Sequence, residues 1–235
     1  MDTQGLMLPV PDRKSSKSPD SSPSAAGKRL LEIYAGLVVR GEHLLQGLLC
    51  GQPPCQWHHY PEEDAIDEVS GYQWFYHSHS PEDRPETTEH GHFHLFARRK
   101  LWARRLQSRA EKTFAAMTGN PNQQVNTRHL LSIGIDAKGI PVSIFTVNSW
   151  VTGDLMLSAA KTEQLLIQMT LDTGYSDIDT VLESVIALCS DEIRQVLAER
   201  DATLSAKLAH AMLGDQNLEM LSEATIDLDK KLVGI

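Results

Sequence analysis

The sequence predicts an α+β domain in which an antiparallel sheet built from two β-hairpins is covered by an N-terminal helix and C-terminal helices. Apolar residues recur at helical spacing near the N-terminus and again over the last third of the chain. Between those stretches the period changes to two, the signature of strands. The order helix, two hairpins, helices is that of a sheet with its helices gathered on one side.

Residues 1–26 are rich in Ser, Pro, Lys and Asp. Such a stretch has too little apolar surface to offset the entropy of ordering and reads as a disordered tail. Residues 27–235 read as a single α+β domain with a His-rich hairpin at 72–97. From Gly27, the apolar positions Leu30, Leu31, Tyr34, Leu37, Val38, Leu44, Leu45 and Leu48 repeat at helical spacing until Gly51, with Pro53 and Pro54 beyond. This predicts one long helix. The following CQWHHYPEEDAIDEVSG is acidic and without period, and reads as loop.

Tyr72 to His79 is crowded with aromatics and Glu89 to Ala97 alternates histidine with other residues, so both read as strands. SPEDRPETT between them carries two prolines and is the connection. The second hairpin is HLLSIGID and IPVSIFTVNSWVTGD, joined through AKG with Gly139 available for positive φ. FARRKLWARRLQSRAEKTFAAM reads as helix, or strand running into helix. Its basic residues, among them Arg98, Lys100 and Arg105, are expected to pair with the acidic segments 62–68 and 82–89 of the same chain. Lys161 to Met169 and Asp177 to about Ala211 are helical by periodicity, with Ser176 or Asp177 as N-cap. Their apolar stripe is cover for the sheet and, in part, a surface for a homodimer.

At 235 residues, 41% hydrophobic and 23% charged, the chain is able to bury a sizeable core. A formal net charge of -9 excludes general binding to nucleic acid or to an anionic membrane. No apolar run approaches the roughly 20 residues of a membrane helix, and the N-terminus lacks the pattern of a secretory signal. A cytoplasmic location is expected. Three cysteines, Cys50, Cys55 and Cys189, form no CxxC pair and define neither a disulfide framework nor a thiolate metal site. There is no GxSxG, Walker or GxGxxG motif.

Histidine is where the composition departs from the ordinary. Of ten histidines, seven (58, 59, 77, 79, 90, 92 and 94) fall between Trp57 and Leu95. Strand side chains alternate between faces. If His79 lies opposite His90 and His77 opposite His92, one face carries Gln73, Phe75, His77 and His79 against His90, His92, His94 and Phe96. The other carries Tyr72, Trp74 and Tyr76 against Phe93, Leu95 and Ala97. A slip of one residue would mix the two faces, so the pattern itself selects this register. Opposed Cβ atoms are about 4.5–5.5 Å apart, which lets several imidazoles reach one ion at about 2.0–2.1 Å. His77, His79, His90, His92 and His94 are therefore predicted ligands of a divalent metal, Zn or Fe given the absence of thiolates. Glu89 is the nearest carboxylate, although parity turns it to the opposite face unless the strand starts after it. His129, at the start of the second hairpin, is a further candidate.

The functional expectation is a metal-binding protein: a metal-dependent hydrolase or non-haem iron enzyme acting on a small-molecule substrate, or a storage, delivery or regulatory protein without turnover. The run HGHFHLF, His90 to Phe96, also resembles the HxHxHxx core of the histidine-triad nucleotide hydrolases and transferases. That resemblance spans seven residues and implies His92 as the nucleophile on phosphorus, with His90 and His94 as its partners. Gly91 stands where that family carries a bulky apolar residue.

Overall fold

The computed structural model describes residues 22–79, 88–118, 126–153, 156–206 and 209–235. Six strands form one antiparallel sheet in sequence order: β1 (Tyr60–Ile66), β2 (Tyr72–Ser78), β3 (Glu89–Arg98), β4 (Thr127–Asp136), β5 (Pro141–Val147) and β6 (Met220–Thr225). The two expected hairpins are its centre, and β1 and β6 extend it at the edges. The helices are α1 (Pro23–Arg40), α2 (Arg99–Trp102), α3 (Arg109–Thr118), α4 (Ser149–Thr152), α5 (Ala159–Ile167), α6 (Ser176–Leu188), α7 (Ser190–Ala206), α8 (Ala209–Leu213) and α9 (Leu228–Leu232). The chain is thus α+β, with helices at both ends covering the sheet.

The β2–β3 register is the one the alternation selects, with His77 opposite His92, Phe75 opposite His94 and Trp74 opposite Leu95. Tyr72, Trp74, Tyr76, Phe93, Leu95, Leu131, Ile133 and Ile144 sink into the main core with residues of α1, α5 and α6. Two buried hydrogen bonds fix this face to the helices. The Trp74 indole donates to Asp179 Oδ1 on α6 at 2.9 Å, and the Tyr72 hydroxyl donates to the Leu165 carbonyl on α5 at 2.7 Å. Each satisfies a polar group that would otherwise cost about 1–3 kcal/mol unpaired in the core. In the β4–β5 turn Gly139 takes φ 80°, and the Asp136 carboxylate accepts the N–H groups of Lys138 and Ile140. The Tyr34 hydroxyl donates to the Gly139 carbonyl at 2.7 Å, so α1 is tied to this turn.

Several elements differ from the sequence expectation. α1 begins at Pro23 behind a Ser22 cap, and Ala26 is fully buried, so the domain starts before residue 27. The predicted tail over residues 1–21 and the loop residues 80–87 lie outside the described residues. The long N-terminal helix stops at Arg40 because Gly41 turns left-handed at φ 66° and donates back to the Leu37 and Val38 carbonyls. Leu44, Leu45, Leu48 and Leu49 beyond it are buried from a succession of turns, which preserves the apolar spacing without a continuous helix. The segment read as an acidic loop contains β1, an edge strand that includes Pro61 and whose pairing with β2 is broken between Tyr60 and Ala65. The C-terminal helical stretch divides at Cys189 into α6 and α7, and the residue preceding α6 is Tyr175, with Asp177 and Asp179 in the first turn. The expected internal ion pairing is present where Arg98 meets Glu68 at 2.7 Å.

Candidate metal centre

The face of the sheet turned away from the main core carries His77, His92 and His94, with His79 just past the end of β2. Gly134 lies opposite His92 on β4, and Ser132 opposite His94. All four histidines are buried, and His94 is fully so. His92 is the hub. Its Nε2 lies 2.7 Å from His77 Nε2 and 2.9 Å from His94 Nε2, and its Nδ1 lies 3.2 Å from His79 Nε2. The ligand atoms of His77, His79 and His92 all fall within 4.8 Å of one another.

Two strand irregularities decide which residues join this cluster. Glu89 faces Asp136 while Gly91 faces Ile135, so His90 is an extra residue on β3. Such a bulge reverses parity beyond it. Glu89, which strict alternation turns away, instead reaches the imidazole face and its Oε1 meets His92 Nδ1 at 2.8 Å. His90, predicted as a ligand, is turned to the core face, where its Nδ1 lies 3.0 Å from the Tyr76 hydroxyl. The second irregularity leaves Leu130 extra between Leu131, opposite Leu95, and His129, opposite Phe96. It brings His129 to the site, 3.1 Å from His94 Nδ1.

Two glycines make room for this arrangement. A Cβ at Gly134 would run into the Glu89 carboxylate and Ser143 Oγ, so the bare backbone opposite His92 is the space that Glu89 occupies. A Cβ at Gly91 would strike the Tyr76 ring and the His77 carbonyl. That explains why a bulky residue does not stand there, and why the chain departs from the histidine-triad pattern at this position. With His90 on the other side of the sheet from His92 and His94, the three histidines of that motif do not share a site.

The outer nitrogens of the cluster are anchored. Glu89 accepts from His92 Nδ1 and, through Oε2, from the Ser143 hydroxyl at 2.9 Å. A carboxylate against Nδ1 calls for the proton there, which leaves a lone pair on His92 Nε2. Ser132 Oγ lies 3.0 Å from His94 Nδ1 and similarly leaves His94 Nε2 toward His92. Burial, aided by the neighbouring His79 and His59, lowers the His77 pKa to about 3. Burial also drives His94 well below its ordinary value and, with Arg200 nearby, lowers His129 to about 3. These three imidazoles are therefore neutral at physiological pH, the form that binds a metal.

The nitrogen geometry fits a shared ion better than a hydrogen-bond chain. An imidazole nitrogen offers one in-plane direction, either an N–H or a lone pair. His92 Nε2 has two Nε2 neighbours, at 2.7 and 2.9 Å, and one direction cannot serve both. A tetrahedral ion at about 2.0–2.1 Å would hold such nitrogens about 3.3 Å apart, so the rings need to spread by roughly half an ångström to admit it. Outer ring N–H groups that donate to a carboxylate or a hydroxyl oxygen are the usual support of histidine ligands. The cluster of His77, His79, His92 and His94 is thus able to hold a metal ion.

A cavity of about 310 Å³ adjoins the cluster and is lined by His77, His94 and Phe75, with Trp57, Trp150 and Glu219 among the remaining walls. His59 stacks on Phe75 with ring centroids 3.7 Å apart, held by Asp64 at 3.2 Å. The segment read as a solvated loop therefore covers part of the imidazole face. Trp57, Trp150, Glu219, Ser132 and Ser143 were not marked by any sequence motif, because each becomes relevant only through the strand or loop that packs beside it.

Fold and site together define an α+β protein with a buried imidazole cluster able to hold a metal ion. The chain belongs to the family described as a domain of unknown function, DUF6969, whose model matches residues 24–226. Neither a curated protein nor a solved structure matches it. Among the described residues, no helix is long and apolar enough to cross a membrane.

Proposed function

We propose that this protein is a metal-dependent enzyme that holds zinc or iron through His77, His92 and His94, with His79 as a further ligand, and acts on a small molecule in the adjoining cavity. The observation that carries the reading is the meeting of the three Nε2 atoms at 2.7 and 2.9 Å while the outer nitrogens of His92 and His94 are anchored. Glu89 and Ser132 act as positioning residues, and Ser143 orients Glu89. The cavity supports an enzyme over a storage or delivery role, because His77 and His94 line a space of small-molecule size beside the cluster. Bound zinc would supply a Lewis acid and a water of lowered pKa for hydrolysis, and bound iron would supply redox chemistry.

The test is elemental analysis of untagged protein beside the His77→Ala/His92→Ala double variant. Near-stoichiometric metal in the wild type, lost in the variant, is the expected result, and the element found separates hydrolytic zinc from redox iron. A wild type that takes up no metal even after reconstitution refutes the proposal.

A further inference from the structure

The cavity beside the histidines has a composition that selects its occupant. Of the four tryptophans, Trp74 and Trp102 are buried, whereas Trp57 and Trp150 are 55% and 40% exposed. Both exposed indoles line this one cavity. Leaving two indoles in water forgoes some of the largest burial energies available to a side chain. Trp57 also takes a left-handed φ of 64°, a conformation that bulky residues adopt at a cost of about 1–3 kcal/mol. In that conformation its ring stands edge-on to His79 at 4.7 Å and to His77 at 5.8 Å, against the imidazole wall.

Another part of the lining is fixed as a unit. The Asn148 side chain is buried between the Met212 and Leu218 carbonyls, and its backbone N–H donates to the Glu219 carbonyl at 2.7 Å. Two residues on, the Trp150 indole N–H donates to the Leu218 carbonyl at 3.1 Å, which ties the polar edge of the ring to the protein and leaves its apolar surface to the cavity. The same loop presents Glu219. Among the described residues, no lysine or arginine lines the cavity. The walls thus combine aromatic rings, whose faces attract cations, with an acidic residue in a cavity that no lysine or arginine lines.

We infer that this cavity recognises a small organic cation: an amine or quaternary ammonium compound with an apolar body. At about 310 Å³ the space is at the low end of the range of about 300–1,000 Å³ for small-molecule sites, so the ligand is compact. The inference rests on the proposed metal reading only for the chemistry at the histidine wall: an ion held there would repel a cation, so the ammonium belongs beside Trp150 and Glu219 rather than against the histidines.

Benzyltrimethylammonium is the probe, because a quaternary nitrogen has no lone pair with which to ligate a metal. Benzyl alcohol is its neutral counterpart. Titration of each into the purified protein, followed by tryptophan fluorescence and by calorimetry, is expected to show the cation binding about tenfold more tightly than the alcohol. Glu219→Gln, a partly exposed position, is expected to weaken the cation about fivefold or more and leave the alcohol unchanged. Equal affinities for the two probes, no binding of the cation, or a Glu219→Gln variant with unchanged cation affinity overturns the inference. Metal content measured on the same samples keeps the two readings apart. Protein that binds the cation but holds no metal overturns the metal reading alone, and protein that holds metal but binds no cation overturns this one alone.

Discussion

Replacing Glu89 with glutamine removes a charge while keeping the shape and both hydrogen bonds of the residue that orients His92. The carboxylate side chain is 1% exposed, as is that of His92, and it accepts from His92 Nδ1 at 2.8 Å and from Ser143 Oγ at 2.9 Å. Glutamine retains an amide oxygen for His92 and an amide N–H for Ser143, so its effect on folding is expected to stay within about 1 kcal/mol. What it loses is the charge that raises the basicity of His92 Nε2. Removing such an outer partner lowers metal affinity about 10–100-fold, or about 1.4–2.7 kcal/mol. Glu89→Ala removes the partner altogether and strands two buried groups, at about 1–3 kcal/mol each, so it is expected to lose both metal and stability. Competition against a chelator of known affinity measures the first quantity, and denaturant unfolding of metal-free protein the second. If both variants bind metal as the wild type does, Glu89 does not position His92 and the argument from its geometry fails.

Other consequences are equally direct. Gly134→Ala places a methyl group where the Glu89 carboxylate and Ser143 Oγ sit, so it is expected to lower metal affinity about as far as Glu89→Ala does, whereas Gly47→Ala, with open space around it, leaves both metal and stability unchanged. The same chelator competition checks the pair, and wild-type affinity in Gly134→Ala refutes the steric account. His90→Ala is expected to keep its metal and to lose about 1 kcal/mol through the hydrogen bond to Tyr76, and a metal-free His90→Ala would return His90 to the ligand set. The metal-free protein should weaken in acid. Folded, His77 and His129 hold their pKa at about 3 and His94 lies well below its ordinary value, while in the unfolded chain all three titrate near 6.5. The unfolded state then takes up protons first as pH falls, so this stability is complete above about pH 6.5 and is lost below it, at about 1.4 kcal/mol per pH unit for each histidine until the folded pKa is reached. Denaturant midpoints at pH 7.5 and pH 5 check the sign, and greater stability at pH 5 refutes it.

The sequence alone determined the sheet centre and most of the cluster, because both follow from alternation. Aromatics at Tyr72, Trp74 and Tyr76 and histidines at His77 and His79 cannot exchange faces without exposing the rings, so alternation alone sets the register with His92 and His94. The Asp136 to Gly139 turn was legible for a similarly local reason, the need for positive φ at its last residue. Tertiary structure decided the rest. Parity is a local rule, and one extra residue cancels it. The bulge at His90 arises in pairing with β4, and it sends Glu89 to the imidazole face and His90 to Tyr76. The bulge at Leu130 in turn brings His129 to His94. β1 escaped notice because an edge strand with a broken register leaves no period to read. The cavity is further still from sequence, since Trp57 and Glu219 line it together although they are far apart along the chain. Their roles depend on a left-handed turn and on a buried Asn148, features that exist only once the sheet has brought those segments together.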